Sequence, residues 1–330
     1  MSKWSYSEPM PGNWLALFIL DFVNNYQLLL RDDAQKAARR FNHTVSVYAA
    51  DRNADTQVRQ IQAVLNEPQN RRPSAILVSP VRESSLVGVL GDAVGKGIPW
   101  IFLNRWCEVI DSVRREHPHV PVFSVSADQS EIGRTQGKIL NQILNPGDEL
   151  VYIQGPHGTS SVNRRHSAMQ QELAGLLGVR WSNYNSDWSA QGGHTVMTGW
   201  LQTFTSGKLP NFVACAQNDD MALGARQAII DCKNAASARS PRIVGCDGLP
   251  SFGQRLVTEG QFVATVFVPP VSGRAIEELF AALRGGPPAP AEISIGVECY
   301  PRLESLASRR DAVHFDRRSN NPRTTANNRH

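Results

Sequence analysis

Short apolar runs alternate with longer amphipathic segments from residue 14 to about residue 283. Ten of the apolar runs have the length and composition of β-strands. Their near-continuous apolar character is typical of parallel strands that are covered on both faces. The predicted strands are residues 14–20, 44–49, 75–79, 100–103, 122–125, 150–153, 180–183, 212–216, 242–246 and 263–268.

The segments between these runs place apolar residues at helical spacing. The predicted helices are residues 28–41, 55–65, 84–95, 130–144, 165–177, 192–204, 220–232 and 270–283. Regular alternation of strand and helix predicts an α/β fold with a doubly wound parallel sheet. Ten strands in a chain of 330 residues predict two such sheets.

Three segments depart from this alternation. Residues 108–121 (EVIDSVRREHPHVP) are charged and contain prolines, and we predict an insertion there, near the first crossing between two lobes. Residues 285–291 (GGPPAPA) are predicted to form a loop. The periodicity ends at about Leu306, so residues 307–330 are predicted to form a polar basic tail.

Composition and charge exclude several classes of protein. Apolar residues make up 41% of the chain and charged residues 19%, which is typical of a globular protein. The net charge of +4 is accounted for by seven arginines and three carboxylates beyond residue 301. The rest of the chain therefore lacks the basic face that nucleic-acid binding requires, and no nucleic-acid partner is expected. The longest apolar run, residues 14–20, is far shorter than the roughly 20 residues of a membrane span, so no direct membrane insertion is expected.

The cysteines and the N-terminus bear on the cellular compartment. Five cysteines show neither CxxC nor metal-ligand spacing, which predicts free thiols and favours a reducing compartment. Lys3 and the apolar run at residues 14–20 are similar to a minimal signal peptide, but Glu8, two prolines and Asp21 interrupt the pattern. No clear signal peptide is therefore predicted, and a cytoplasmic location stays open.

The most informative motif is residues 212–225 (FVACAQNDDMALGA). An apolar strand ends at Gln217, and a helix follows at once with Asp219 or Asp220 as its predicted N-cap. Asn218 then lies at the carboxyl end of a parallel strand, where α/β sheets bind their ligands.

This motif resembles the ribose-binding-protein branch of the type I periplasmic sugar-binding proteins. Similar matches occur in order at residues 24–36, 102–105 (FLNR), 153–171 (IQGPHGTSSVNRRHSAMQQ) and 243–250 (IVGCDGLP). The resemblance implies two doubly wound parallel-sheet lobes, joined by a multi-strand hinge, with a ligand cleft between them. It implies residues 13–126 with about 269–298 for the N-terminal lobe, and 127–268 with about 299–306 for the C-terminal lobe.

The resemblance also implies which side chains contact the ligand. Guanidinium groups and carboxylates suit sugar hydroxyls, and an aromatic ring suits the C–H face of a sugar. Trp188 follows a polar loop and is expected to be an exposed indole that stacks on the ligand. The alternative is that it packs against loops of the second lobe itself. Arg165 is expected at a helix start. The implied cleft residues are Asn24, Tyr26, Gln27, Ser79, Asn104, Arg105, Arg165, Trp188, Asn218, Asp247 and Val268.

Three of these positions depart from the family pattern. Asn104 stands where the family usually has an aspartate, Val268 where it has a glutamine, and Gln27 where it has half of an aromatic pair. An unmatched buried polar group discriminates strongly between ligands, so the ligand is expected to differ from ribose. Trp106 is a candidate replacement contact, and a half-buried structural position suits it equally well.

Enzymatic alternatives have little support. His157 lies in a loop (GPHGTSS) that is similar to a catalytic loop, but no GxSxG elbow follows and the histidines lack zinc spacing. The chain contains no P-loop and no GxGxxG motif. We therefore expect no catalytic residue, no metal and no cofactor.

The resemblance implies reversible, non-catalytic binding of a small sugar or polyol, as the substrate-binding component of an ABC transporter. The partner would then be a membrane permease, and the location the periplasm or cell envelope. The alternative is a sugar-sensing regulatory protein that acts through a partner, because the same fold forms the effector domain of lactose-repressor-type transcription factors. Thirteen residues precede the first predicted strand, so no DNA-binding domain is expected in this chain. A sensor in the cytoplasm or bound to a membrane kinase is a third interpretation, which the cysteines favour.

Overall fold

The computed structural model describes residues 12–204, 209–232 and 241–306. The predicted tail at residues 307–330 lies outside the described residues. The strands are β1 (Trp14–Ile19), β2 (Thr44–Ala49), β3 (Ala75–Val78), β4 (Trp100–Leu103), β5 (Val122–Ala127), β6 (Glu149–Gln154), β7 (Arg180–Asn185), β8 (Phe212–Ala216), β9 (Arg242–Val244), β10 (Thr265–Phe267), β11 (Glu292–Ile295) and β12 (Glu298–Tyr300). The helices are α1 (Asn25–Arg39), α2 (Ala54–Leu65), α3 (Val87–Gly95), α4 (Ile110–Glu116), α5 (Gln129–Ile143), α6 (Ser160–Glu172), α7 (Ala190–Gln202), α8 (Asp219–Asp231), α9 (Gly253–Thr258) and α10 (Ser272–Leu283).

The strands form two parallel sheets. The first has six strands in the order β2-β1-β3-β4-β5-β11, and the second has four in the order β7-β6-β8-β9. Two parallel bridges, Val244 with Ala264 and Asp247 with Phe267, place the β10 segment beside β9, and β10 pairs antiparallel with β12. The predicted α/β fold with two doubly wound lobes is confirmed.

The chain passes between the two sheets three times, from β5 to α5, from β10 to α10 and from β11 to β12. Helix α10 packs against α1 of the first lobe, where the Ser272 hydroxyl donates to the Leu30 carbonyl at 2.7 Å. Helix α5 packs against the second lobe, where Gln136 Nε2 donates to the Ala216 carbonyl at 2.8 Å. Three such connections between the two lobes form a hinge. The lobe bounds given above stay a prediction.

Every predicted strand occurs, with ends that differ by no more than two residues. The prediction of an insertion at residues 108–121 is wrong, because this segment contains α4, the regular crossover helix between β4 and β5. Ile110 buries its side chain beneath that helix and anchors it to the sheet. Strands β11 and β12 and helix α9 were not predicted, because each is short and β11 and β12 lie partly exposed.

Two helices begin three or more residues earlier than predicted, and both shifts affect the site. Helix α1 begins at Asn25 rather than Leu28, because the Asn24 side chain accepts a hydrogen bond from the Gln27 amide and caps it. Helix α6 begins at Ser160, so Arg165 lies inside the helix rather than at its start. A helix that begins at Ser160 turns the Arg165 side chain toward the second sheet, where it is buried.

Among the described residues, no helix is both long and apolar enough to cross a membrane. The five cysteines are free, with Cys107, Cys215 and Cys246 buried. A search of the same part of the chain finds no group of three or more His, Cys, Asp or Glu side chains arranged to hold a metal ion.

Candidate functional site

The predicted site residues follow the carboxyl ends of strands in both lobes. Asn24 follows β1 and Arg105 follows β4 in the first lobe, whereas Trp188 follows β7 and Asn218 follows β8 in the second. The Asn24 amide donates to the Trp188 carbonyl at 3.4 Å, and the Arg105 guanidinium donates to the Ser161 hydroxyl. These contacts join the two lobes directly, so the structure describes the lobes closed on each other.

Trp188 is buried, with 8% of its surface exposed, so the prediction of an exposed indole is wrong. Its ring packs against the backbone of Gly155, where a Cβ atom would collide with the indole. The guanidinium carbons of Arg105 and Arg165 lie over the same ring, each 5.7 Å from its centroid. The loop around Trp188 is polar in sequence, but the groups that cover the indole come from distant segments. Two cations on one indole form a cation–π arrangement that draws the arginines together in spite of their like charge.

Arg165 is held from three sides in the second lobe. Its Nε donates to Gln129 Oε1 at 2.7 Å, and its Nη1 donates to the Gln217 carbonyl. The same nitrogen lies 3.6 Å from Cys246 Sγ. Because α5, α6 and the ends of β8 and β9 all contribute to this contact set, the guanidinium is fixed before any ligand binds.

Arg105 extends from the first lobe toward α6. It donates to the Asn104 carbonyl at 3.2 Å and to the Ser161 hydroxyl, and its Nε lies 3.7 Å from Glu83 Oε1. Burial lowers the pKa of Arg105 and Glu83 opposes that shift. The Arg105 Nε is buried without a hydrogen-bond partner among the described residues.

Glu83 is a functional residue that the sequence analysis missed. Its Oε1 accepts hydrogen bonds from the Ser160 amide at 3.1 Å and the Ser160 hydroxyl at 2.8 Å. Ser160 begins α6 of the second lobe, and a carboxylate at a helix N-terminus is stabilised by the helix dipole. Glu83 and Arg105 thus hold the first lobe against the first turn of α6.

Asn218 caps α8, because its Oδ1 accepts from the Met221 amide at 2.9 Å. The prediction that Asp219 or Asp220 is the N-cap is therefore wrong by one or two residues. The Asn218 Nδ2 donates to the Trp188 carbonyl at 2.9 Å, and Asn24 donates to the same carbonyl from the other lobe. Both asparagines thus position the Trp188 loop.

Asp219 and Asp247 are neighbouring buried carboxylates with different surroundings. Asp219 accepts from the Gly248 amide at 2.7 Å and from the Thr265 hydroxyl at 2.7 Å. No described residue donates a hydrogen bond to the Asp247 carboxylate. Burial raises the pKa of Asp247 well above its ordinary value, nearby Asp219 raises it further, and Arg165 opposes the shift. Asp247 is thus a buried acceptor whose carboxylate accepts no hydrogen bond from the described residues.

Tyr26 and Asn104 form a pair in the first lobe. The Tyr26 hydroxyl lies 3.3 Å from Asn104 Nδ2 and donates to the Pro269 carbonyl at 3.0 Å. Burial raises the pKa of the Tyr26 hydroxyl, and the hydrogen bond to Asn104 opposes this shift. Pro269 lies where the chain passes between the lobes, so this pair connects the site to the hinge.

Three predicted site residues make mainly structural contacts. The Gln27 Oε1 accepts from the Leu20 amide at 3.0 Å and holds the loop after β1. Ser79 is buried after β3, and its carbonyl accepts from Gln57 Nε2 at 3.0 Å. Val268 is buried in the core, and its amide donates to the Asp247 carbonyl at 2.9 Å.

Backbone conformation also marks the site. Asn104, Trp188 and Asp247 have φ values of 59°, 69° and 105°, which side-chain-bearing residues rarely adopt. Strained backbone of this kind persists where the surrounding structure fixes it, and it concentrates at functional sites. Each of the three follows a strand end and orients a side chain into the region between the lobes.

Comparisons with known proteins identify the family of this chain. A family model described as a periplasmic binding protein domain matches residues 15–287. The chain belongs to the periplasmic binding protein family. It is 29% identical to a xylitol-binding protein of Mycolicibacterium smegmatis over 218 residues, which are 66% of this chain and 56% of that relative. The alignment thus spans little more than half of that relative's length.

A second relative of this periplasmic binding protein is the ribose import binding protein RbsB of Salmonella typhimurium. The two are 25% identical over 282 residues, which are 84% of this chain and 88% of the relative. The structure of the periplasmic binding protein component of the arabinose ABC transporter from Shewanella sp. ANA-3 superposes with a TM-score of 0.74. The two chains are 21% identical, and the superposition covers 96% of this chain and 100% of the other. This match establishes the shared fold. The resemblance to the sugar-binding branch of the family is confirmed.

Proposed function

We propose that this periplasmic binding protein binds a small sugar or polyol reversibly between its lobes and delivers it to the permease of an ABC transporter. The observation that carries the proposal is a group of buried polar side chains that meets where the two lobes contact each other. The Arg105 guanidinium of the first lobe supplies donors, and the Asp247 carboxylate of the second lobe supplies an acceptor. A ligand between the lobes can form hydrogen bonds with both.

Hydroxyl groups match this pair of protein groups. A guanidinium only donates and an ionised carboxylate only accepts, whereas a hydroxyl does both. A compound with adjacent hydroxyls can therefore accept from Arg105 and donate to Asp247 at once. Hydrogen bonds to charged groups contribute about 1.5–3 kcal/mol each, so a few of them support specific binding.

The relatives support this class of ligand and this role. They include proteins named for binding xylitol and for importing ribose and fructose. Asn104, Val268 and Gln27 distinguish this chain from the pattern expected for ribose, so we assign the class of compound and not ribose itself. The relatives are binding proteins, and we propose that the ligand leaves this cleft chemically unchanged.

A thermal-shift screen tests the proposal. Pentoses, hexoses, polyols and inositols are each added in excess, and the melting temperature is measured. Binding to the folded protein alone stabilises it by about 2.7 kcal/mol at a hundredfold excess over Kd. At least one compound is expected to raise the melting temperature, and nuclear magnetic resonance is expected to recover it unaltered. A screen in which no compound shifts the melting temperature would refute the proposal.

We further propose that the protein works in the cell envelope, where a permease can receive its ligand. Fractionation of the native cell with an antibody against the chain tests this location. Recovery in the envelope fraction supports the transport role. Recovery in the cytoplasm alone would instead favour the sugar-sensing alternative.

A further inference from the structure

The N-terminus of α6 differs from those of the other long helices of the second lobe. Thr159 stands at its N-cap position, but the Thr159 side chain accepts no hydrogen bond from the first turn of the helix. The Thr159 hydroxyl donates instead to the Pro156 carbonyl at 3.2 Å. Helices α5, α7 and α8 are each capped by the side chain just before them, from Asp128, Ser189 and Asn218 respectively. The first turn of α6 therefore needs acceptors from water or from another segment.

The first lobe supplies that acceptor. Glu83 Oε1 accepts from the Ser160 amide at 3.1 Å and from the Ser160 hydroxyl at 2.8 Å. The Ser160 hydroxyl in turn accepts from the Trp106 amide, also of the first lobe, at 3.2 Å. The Glu83 side chain is 12% exposed, so this contact is largely shielded from water. Hydrogen bonds to a carboxylate are charge-assisted, and the dipole of α6 favours a negative charge at this end.

This cross-lobe cap, the contact of Glu83 with Ser160, depends on closure of the lobes. Glu83 follows β3 of the first sheet, whereas Ser160 follows β6 of the second. When the lobes separate about the hinge, water replaces both partners. The closed form therefore contains two charge-assisted hydrogen bonds that an open form lacks. They shift the equilibrium between the two forms toward closure.

We infer that Glu83 is a positioning residue that caps α6 across the lobes and raises ligand affinity by stabilising the closed form, an inference that rests on the proposed function. A ligand held between the lobes binds more tightly when the closed form is more populated. The same helix carries Arg165, so the cross-lobe cap also holds the segment that brings this guanidinium to the site. Loss of Glu83 is expected to speed release of the ligand.

The chain offers a matched control for Glu83→Ala. The Asp33 carboxylate on α1 accepts from the Ser272 hydroxyl at 2.9 Å and from the Gly273 amide, at the first turn of α10. The donors are again a serine hydroxyl and a helix amide, but both helices belong to the first lobe. Asp33→Ala therefore removes a similar contact that does not depend on closure.

Calorimetric titration and urea unfolding of the two variants test the inference. The probe is the pentose, hexose, polyol or inositol with the largest shift in the thermal-shift screen. Glu83→Ala is expected to raise the Kd of the probe at least about tenfold, and Asp33→Ala to leave it within threefold. In urea, Asp33→Ala is expected to lower the unfolding midpoint of the unliganded protein more than Glu83→Ala does. Glu83→Gln keeps an acceptor without the charge and is expected to bind with intermediate affinity.

Hydrogen exchange at the Ser160 amide reports on the cross-lobe cap itself. The probe is expected to slow this exchange in the wild-type protein, because closure pairs the amide with Glu83. In Glu83→Ala that slowing is expected to disappear. A double-mutant cycle with Ser160→Ala adds a second measurement. The combined loss of affinity is expected to be smaller than the product of the two single losses, because the two residues share one contact.

The possible outcomes separate the two levels of the argument. If Glu83→Ala binds the probe within threefold of the wild-type protein, or if the probe leaves exchange at Ser160 unchanged, this inference is wrong and the proposed function stands. If Asp33→Ala weakens binding as much as Glu83→Ala does, the loss reflects general destabilisation and the inference is again wrong. If no compound binds to the folded wild-type protein, the proposed function fails together with this inference.

Discussion

Replacing Asp247 by asparagine is predicted to remove ligand binding while leaving the folded protein at least as stable. The carboxylate receives no hydrogen bond from the described residues, so an amide in its place breaks no hydrogen bond of the protein and removes only the attraction of Arg165 for the ionised form. Burial and nearby Asp219 raise the pKa of Asp247, which means that the folded protein disfavours its ionised form. A neutral side chain removes that unfavourable term.

The loss of affinity follows from the same geometry. Two ligand hydroxyls that donate to an ionised carboxylate contribute about 3–6 kcal/mol together, at about 1.5–3 kcal/mol each. Asparagine keeps one acceptor and turns an NH₂ group toward the ligand, so most of this contribution is lost. The Kd is therefore expected to rise at least about a hundredfold, since about 1.4 kcal/mol corresponds to a factor of ten.

The assay combines calorimetric titration of the best compound from the screen with urea unfolding of the unliganded protein. The matched control is Asp219→Asn, because Asp219 accepts from Gly248 and Thr265. In Asp219→Asn the new NH₂ group faces one of these two donors instead of accepting a hydrogen bond from it. The substitution is therefore expected to lower the free energy of unfolding by about 1–3 kcal/mol. If Asp247→Asn binds within threefold of the wild-type protein, or is the less stable of the two variants, the reasoning is refuted.

Three further predictions follow from the same contacts. Arg165→Ala is expected to abolish ligand binding and to lower the free energy of unfolding by about 2–4 kcal/mol. The loss of stability arises because Gln129 Oε1 and the Gln217 carbonyl are left without their donor. An unchanged free energy of unfolding in urea would contradict this prediction. Trp188→Phe is expected to weaken ligand binding at least about tenfold, because phenylalanine is a poorer cation–π partner for the two arginines, and to remove most of the ligand-induced change in tryptophan emission. An undiminished emission change with normal affinity would show that Trp188 is only structural. Ligand hydroxyls favour the ionised form of Asp247, whose pKa is raised in the free protein, so binding is expected to release a proton and to tighten as pH rises. Calorimetric titrations in buffers of different ionisation enthalpy measure the number of protons released. Proton uptake on binding would contradict this prediction.

The same carboxylates set how stability depends on pH. Burial raises the folded-state pKa of both Asp219 and Asp247 above the ~4 of an unfolded aspartate. A raised folded-state pKa means that the folded protein binds more protons, so the contribution of this pair to stability is present at low pH and is lost as pH rises. As pH rises above ~4, the unliganded wild-type protein is therefore expected to lose stability relative to Asp247→Asn, which lacks one of the two carboxylates.

The sheets were predictable because most central strands are apolar runs. Trp100 to Leu103 is fully buried, for example, and no polar residue interrupts it. Strands β11 and β12 were not predictable, because they are only four and three residues long and partly exposed. Helix α4 was taken for an insertion, because its apolar residues are few and charged residues surround them.

The site was predictable only where a residue lies within a recognisable motif after a strand. Arg105, Asn218 and Asp247 follow strand ends, and Arg165 lies in the helix that follows β6. Glu83 was not predictable, because its partner Ser160 lies in the other lobe and nothing in the local sequence marks the contact.

The burial of Trp188 escaped sequence reasoning for a related physical reason. Its neighbours along the chain are polar, whereas Gly155 and the two arginines that cover the indole come from other segments. Its positive φ turns the side chain away from its own loop, and composition carries no signal of this conformation.

The most direct test of the account is one calorimetric comparison of three proteins. The best compound from the screen is titrated into the wild-type protein, into Arg105→Ala and into Asp247→Asn, so that one altered residue belongs to each lobe. The account predicts one site per wild-type chain and at least about a tenfold loss of affinity in each variant, since a ligand that bridges the lobes depends on a charged group from both. Wild-type affinity in either folded variant would contradict it, because the ligand would then bind to one lobe alone.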